Sequence, residues 1–338
     1  MTTPAIQALK NSVPGRKITL LAAPSGQAIA RFIPEIDEVI TFHVPWQGKA
    51  SQGSQEAVTA MIDQLKSRQF DASVLFTVYS QNPLPTAMLC YMAGIPNIAG
   101  YCRENPYGLM SDWLPDSEPL YEIKHEVIRQ LDLVKSLGAT VTDEKLSLHI
   151  PPEAFRSLDQ KLQERGIDVT KPWLLLHPGV SEVRRQYPAE LFAEAAKELA
   201  ETFGFQVVLT GVASEKPLTE QIAQAVGLKA FSLAGELSLE ELLALIQRAP
   251  LLIANNTGPV HMAAALQTPV VVLYAATNPQ HTPWQVPHKV LYFDVPEERR
   301  SKNVIIEYAY EKAFPQTPAM VAPQQIVEAA KELLISQE

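Results

Sequence analysis

The chain has 338 residues, 46% hydrophobic and 19% charged, the composition of a folded globular protein long enough for two domains. A formal net charge of -9 excludes a general nucleic-acid binder, which needs excess Lys and Arg to neutralise phosphates. Cys90 and Cys102 form neither a disulfide framework nor a zinc pattern, and no secretory signal is visible, so reduced cysteines and a cytoplasmic location are expected.

The chain opens on "MTTPAIQALKNSVPG", read as a helix with a Thr cap and Pro4 in its first turn. Strands follow at "KITLLAA" and "EVITFHV", then a helix over 54–69, strand "ASVLFTV", and helices near 84–93 and 120–137. The apolar run "TAMLCYMAGIPNIAGY" is broken by Gly94, Pro96 and Gly100 and is too short to span a membrane; a helix, turn and strand fit it better. Residues 150–171, with Pro151, Pro152 and Gly166, read as the link between halves.

From 172 to 292 strands and helices alternate. "WLLLHPG" precedes helix "PAELFAEAAKELAETFG", whose Leu191, Phe192, Ala195, Ala196 and Leu199 share one apolar face. Then come "QVVLTG", a helix near 214–226, a short strand at "AFSLAG", and helix "SLEELLALIQRA" with Ser238 and Glu241 as a capping box. "LLIANN", a helix from Pro259, "PVVVLYA" and a last helix "PQQIVEAAKELLISQ" complete the series. Continuous apolar strands between amphipathic helices predict an α/β fold, doubly wound on a parallel sheet.

Two strand-end loops of this half carry the candidate chemistry. "NNTGPVH" joins a strand to a helix start, where free amides and about half a positive charge favour an anion. Gly258 leaves the backbone approachable and Thr257 adds a hydroxyl. Plain capping by Asn and Thr, with Pro in the first turn, competes with that reading. "HPGVSEVRRQYP" supplies the Ser181 hydroxyl and the guanidinium forks of Arg184 and Arg185. A helix end contributes only ~0.3–1 kcal/mol toward an exposed anion, against ~1.5–3 kcal/mol for a hydrogen bond to a charged group, so a diphosphate site needs an arginine beside the helix. His177 and His261 flank these loops; His177 reads as structural and His261 as the better site candidate. His281 and His288, near Trp284, read as members of a polar loop. Dinucleotide, P-loop and serine-hydrolase signatures are missing, and the motifs call for neither metal nor cofactor.

In this order, "LLLHPGVSEVRRQYP", "VVLTG", "LAGELSLEELLALI" and "IANNTGPVHMAAALQTPVVVLYAATNP" resemble glycosyltransferase family 9, the ADP-heptose:lipopolysaccharide heptosyltransferases. The similarity continues through "TPAIQALKNSVPGRKITLLAAP". It implies a GT-B architecture, two Rossmann-like doubly wound domains with a cleft between them. Residues 1–164 would form the acceptor-side domain, 165–320 the donor domain, and 321–338 a helix packing back toward the first domain. It implies inverting, metal-independent transfer of a sugar, heptose foremost, from a nucleotide diphosphate sugar such as ADP-heptose to a lipopolysaccharide-type glycolipid or glycan. Arg185 matches the family's basic residue before an aromatic-proline pair, Ser181 its phosphate-binding hydroxyls, and Thr257, Gly258 and His261 its D-T-G-x-x-H element. Asn256 stands where that element has Asp, and Glu215 is placed toward the nucleoside. No transmembrane segment and no nucleic acid enter this reading, which allows peripheral contact with a membrane.

Family members begin with a strand ending in a Gly-Asp loop, whose Asp is the expected base, and that segment is not in this sequence. In a sheet of order 3-2-1-4-5 this strand is central, and its loss forfeits about five ladder bonds of ~0.5–1.5 kcal/mol each, against a domain stability of ~5–15 kcal/mol. A late-assigned start, with Met1 an internal methionine, is preferred over an inactive copy or a repaired sheet. The catalytic base is left unassigned. Two alternatives stay open: a catalytically inactive nucleotide-sugar-binding protein and a nucleotide-sugar epimerase of similar architecture.

Overall fold

The computed structural model describes residues 1–46, 54–118, 122–275, 278–300, 302–312 and 317–335. They form two units, Met1–Glu144 with Asn303–Ile305, and Lys145–Lys302 with Ile306–Glu338.

In the first unit the order is α1 (Thr3–Ser12), β1 (Thr19–Ala22), α2 (Pro24–Ala30), β2 (Glu38–Thr41), α3 (Gln55–Arg68), β3 (Ala72–Leu75), α4 (Leu84–Met92), β4 (Asn97–Cys102), β5 (Asp112–Pro115) and α5 (Glu126–Ser136). The strands make two separate parallel sheets, β1-β2 and β3-β4-β5. Among the described residues, β1 and β3 each pair on one side only. All four residues of β1 are half-buried. Arg129, on α5, ties the second sheet together. Its guanidinium donates to both Asp116 oxygens (2.7 and 2.8 Å) and to Thr77 O (3.3 Å), and lies 4.1 Å from the Tyr101 ring centroid. The ends of β3, β4 and β5 are thus held by one buried cation with a matched carboxylate.

The second unit runs α6 (Pro152–Glu164), β6 (Trp173–His177), α7 (Ala189–Phe203), β7 (Gln206–Leu209), α8 (Lys216–Val226), β8 (Ala230–Ser232), α9 (Leu239–Arg248), β9 (Leu252–Asn255), α10 (Gly258–Ala265), β10 (Val270–Ala275), β11 (His288–Phe293), α11 (Val304–Lys312) and α12 (Pro323–Ile335). Six parallel strands pair in the order β11-β10-β9-β6-β7-β8. Counted from β6, this is the Rossmann order, and the winding direction reverses between β6 and β9. Every residue of β6, β7, β9 and β10 is buried, as expected for strands covered on both faces.

Three expectations differ from what is observed. The unit boundary lies between Glu144 and Lys145, not at 164/165, because the stretch read as a link contains α6. Ala154, Leu158 and Leu162, four residues apart, form the buried stripe of that helix, which packs on α9. Lys161 Nζ meets Glu241 Oε2 at 2.6 Å, and Arg248 pairs with Asp159. The last helix, α12, packs on α7 and beside β10 and β11, where Ile326, Val327 and Ala330 join the core; the short segment Asn303–Ile305 is what groups with the first unit. The helix expected near 120–137 spans Glu126–Ser136, with 119–121 outside the described residues, as are residues 276–277 of the "YAATNP" stretch. No described helix is long and apolar enough to cross a membrane.

Candidate functional site

In an open parallel sheet, ligands settle beyond the carboxyl ends of the strands where the winding reverses. In the second unit that point lies between β6 and β9, the strands from which "HPGVSEVRRQYP" and "NNTGPVH" emerge. Asn255, fully buried at the end of β9, fastens the two loops to each other. Its Oδ1 accepts from Tyr187 N (3.1 Å) and its Nδ2 donates to Pro178 O (2.7 Å), so it grips the β6 loop at both ends.

Tyr187 anchors the far end of that loop. The side chain is buried, its hydroxyl donates to Val321 O at 2.6 Å, and its ring lies edge-on to Phe192 and Phe293 at 4.8 and 5.6 Å. Burial pushes the phenol's pKa upward, and it stays a neutral donor. Between the anchors, Val183–Arg185 forms one 3-10 turn beside β10. Arg185, two residues before Tyr187, therefore hangs from a fixed point. Its Nε is buried without a hydrogen-bond partner among the described residues. The sequence gives no hint of Glu182's position: its carboxylate faces both arginines, 2.6 Å from Arg184 NH2 and 3.0 Å from Arg185 NH2. Ser181, at the crest of the loop, is exposed.

Helix α10 starts directly beyond the end of β9. Thr257 is its N-cap in extended backbone, with no side-chain capping bond; its hydroxyl donates instead to Asn255 O at 3.2 Å. Capping by that hydroxyl is thus not what this threonine does. Asn256 is buried and its backbone N–H donates to Leu273 O (3.1 Å), while Gly258 is exposed. A methyl group added at Gly258 would meet only Met262 Cε at 3.9 Å, so neither crowding nor backbone conformation demands glycine there. What glycine does is leave the helix start uncovered. His261, in the helix's first turns, is half-buried.

A third loop, after β7, adds Glu215. Its carboxylate accepts from Val212 N (2.8 Å) and occupies the space beside two glycines: a Cβ on Gly179 would lie 2.1 Å from Oε1, and one on Gly211 2.8 Å from Oε2. Both glycines are thus spaces that this carboxylate fills, and Glu215 packs against the β6 loop at Gly179.

The structure brings Ser181, Arg185, Asn256, Thr257, Gly258 and His261 to one edge of one sheet, with Glu215 on the neighbouring strand end. The remaining histidines are set apart by chemistry or position. His177, buried at the end of β6, shares a 3.0 Å hydrogen bond with Thr210 Oγ1, and burial lowers its pKa to about 4, as suits a neutral structural ring. His281 and His288 lie in and after the β10–β11 connection, where His288 Nδ1 bonds Val286 O at 2.8 Å. Sequence reasoning missed Asn255 and Glu182.

The sequence profile of Glycosyltransferase family 9 (heptosyltransferase) matches residues 58–313. Lipopolysaccharide heptosyltransferase 2 of Escherichia coli K12 is 23% identical over 354 residues, covering 100% of this chain and 95% of that protein. Among solved structures, a family 9 glycosyl transferase from Veillonella parvula superposes with a TM-score of 0.77 at 20% identity, over 99% of this chain and 93% of the other. E. coli heptosyltransferase WaaC with ADP gives a TM-score of 0.65 at 19% identity, over 92% and 93%.

Proposed function

The chain belongs to glycosyltransferase family 9 and is a glycosyltransferase of the GT-B fold, and from that premise we propose that it moves heptose from a nucleotide diphosphate sugar to a lipopolysaccharide-type acceptor, with inversion and without a metal. The observation that carries the proposal is the cross-link made by Asn255. It holds an arginine-bearing loop and an uncovered helix start at the reversal point of one sheet. In this reading the donor diphosphate lies between Arg185 and the α10 amides, with Ser181 and Thr257 offering hydroxyls beside it. Asn256 and His261 face the sugar side, and Glu215 the nucleoside.

The reaction joins the acceptor oxygen to the anomeric carbon and breaks that carbon's bond to the phosphate oxygen, while the acceptor hydroxyl loses its proton. Charge builds on the departing diphosphate, so donors already in place stabilise the transition state more than the ground state. Arg185 and the α10 end meet that need. E. coli heptosyltransferase WaaC, a neighbour in fold whose structure holds ADP, supports the choice of donor class. The test is to incubate the purified protein with ADP-heptose and a heptose-deficient lipopolysaccharide core. Release of ADP only when both are present is expected, with Arg185→Ala slowing it at least tenfold. ADP-heptose bound without turnover would favour a binding protein, and sugar conversion with no acceptor an epimerase.

A further inference from the structure

The arginine loop carries its own counter-ion. One carboxylate, Glu182, serves two guanidinium groups: Oε2 lies 2.6 Å from both Nε and NH2 of Arg184, and Oε1 lies 3.0 Å from NH2 of Arg185. Backbone geometry keeps the three together, since Arg185 N donates to Glu182 O at 2.8 Å in the same 3-10 turn. Glu182, Arg184 and Arg185 side chains are 40%, 35% and 29% exposed, so solvent screens these pairs and lets them exchange readily. Glu182 leaves both NH1 groups and Arg185 Nε unengaged, and that Nε is buried with no hydrogen-bond partner among the described residues.

Resting on the diphosphate site proposed above, we infer that Glu182 is an internal competitor for the donor diphosphate, occupying guanidinium N–H groups that the phosphates take over on binding. With Glu182 in place the loop offers a net single positive charge instead of two. A diphosphate makes more and stronger charge-assisted bonds than a carboxylate and displaces it from the part-exposed guanidinium groups. The displaced carboxylate stays within reach and returns when the nucleoside diphosphate leaves. Affinity for that product is held down, and the loop is never left as two bare cations.

Calorimetric titration at low ionic strength tests the inference, with ADP as one probe and inorganic pyrophosphate, which lacks the nucleoside, as the other. Wild type is compared with Glu182→Gln and Glu182→Ala. Each exposed pair relieved is worth a small factor, so both variants should bind both probes about two- to tenfold more tightly, the gain shrinking in high salt. Equal or weaker binding by the variants, with wild type binding normally, overturns the competitor role and leaves the diphosphate site standing. Absence of binding by all three proteins removes the diphosphate site itself, and the competitor with it.

Discussion

Replacing Asn255 by Leu keeps the side chain's size while deleting both arms of the cross-link between the two loops. Tyr187 N and Pro178 O, each in a buried residue, then lose their partner. Leaving one buried backbone group unsatisfied costs about 1–3 kcal/mol, so roughly 2–6 kcal/mol is at stake in a unit whose whole stability is about 5–15 kcal/mol. The loss should be local first: residues 178–187 should exchange their amide hydrogens much faster, and the denaturation midpoint of the second unit should fall. Nucleoside diphosphate affinity should drop with it, since Arg185 depends on that loop. Hydrogen-exchange mass spectrometry under native conditions, followed through urea, reads both effects by segment. Unchanged protection of 178–187 in the Leu variant would refute the idea that Asn255 holds the site together.

Gly179→Ala would drive a methyl group into the Glu215 carboxylate, whose nearest atoms lie 2.1–2.4 Å from the new Cβ, so the carboxylate must leave and release Val212 N. A hydrogen bond to a charged group is worth ~1.5–3 kcal/mol; a thermal shift of that size with weakened ADP binding is expected, and a silent substitution would count against Glu215's placement. His177 gives a pH signature. Its folded pKa, about 4, lies below the ordinary 6.5, so its contribution is fully present above pH 6.5 and is lost as pH falls toward 4. The shift corresponds to about 3 kcal/mol at most, and His177→Gln should flatten the stability profile across that window; an unchanged profile would show that the ring takes up its proton in the folded state. In the first unit, β1 and β3 should exchange their amides well ahead of β6 and β10, because among the described residues each is paired along one edge only. Equal protection would mean that those edges are covered.

The second unit was legible because its pattern repeats: apolar strands, amphipathic helices and one clean capping box. Glu241 N does donate to Ser238 Oγ (3.3 Å), and Ser238 N to Glu241 Oε2 (2.7 Å). The same Glu241 also meets Lys161 and Ser157. Burial works against its charge, yet these bonds draw its pKa to about 2. Nothing local to Ser238 announces that tertiary role. Helix α6 was hidden by its prolines, which read as linker signals, although Pro152 sits at the helix start, where proline is at home. Residues 255 and 256 posed a harder problem. Strand β9 is buried on both faces, so no alternation marks which asparagine points across to the neighbouring loop, and only the sheet order shows it. The Glu182 pairing depends on a single 3-10 turn, too short to leave a periodic signal.

The claim at the centre is that loops from β6 and β9 grip one diphosphate between them, and a crystal structure of the protein with ADP addresses it most directly. Phosphate oxygens should lie within about 3 Å of both the Arg185 guanidinium and the backbone amide at Gly258. A diphosphate held elsewhere, touching neither, would contradict it.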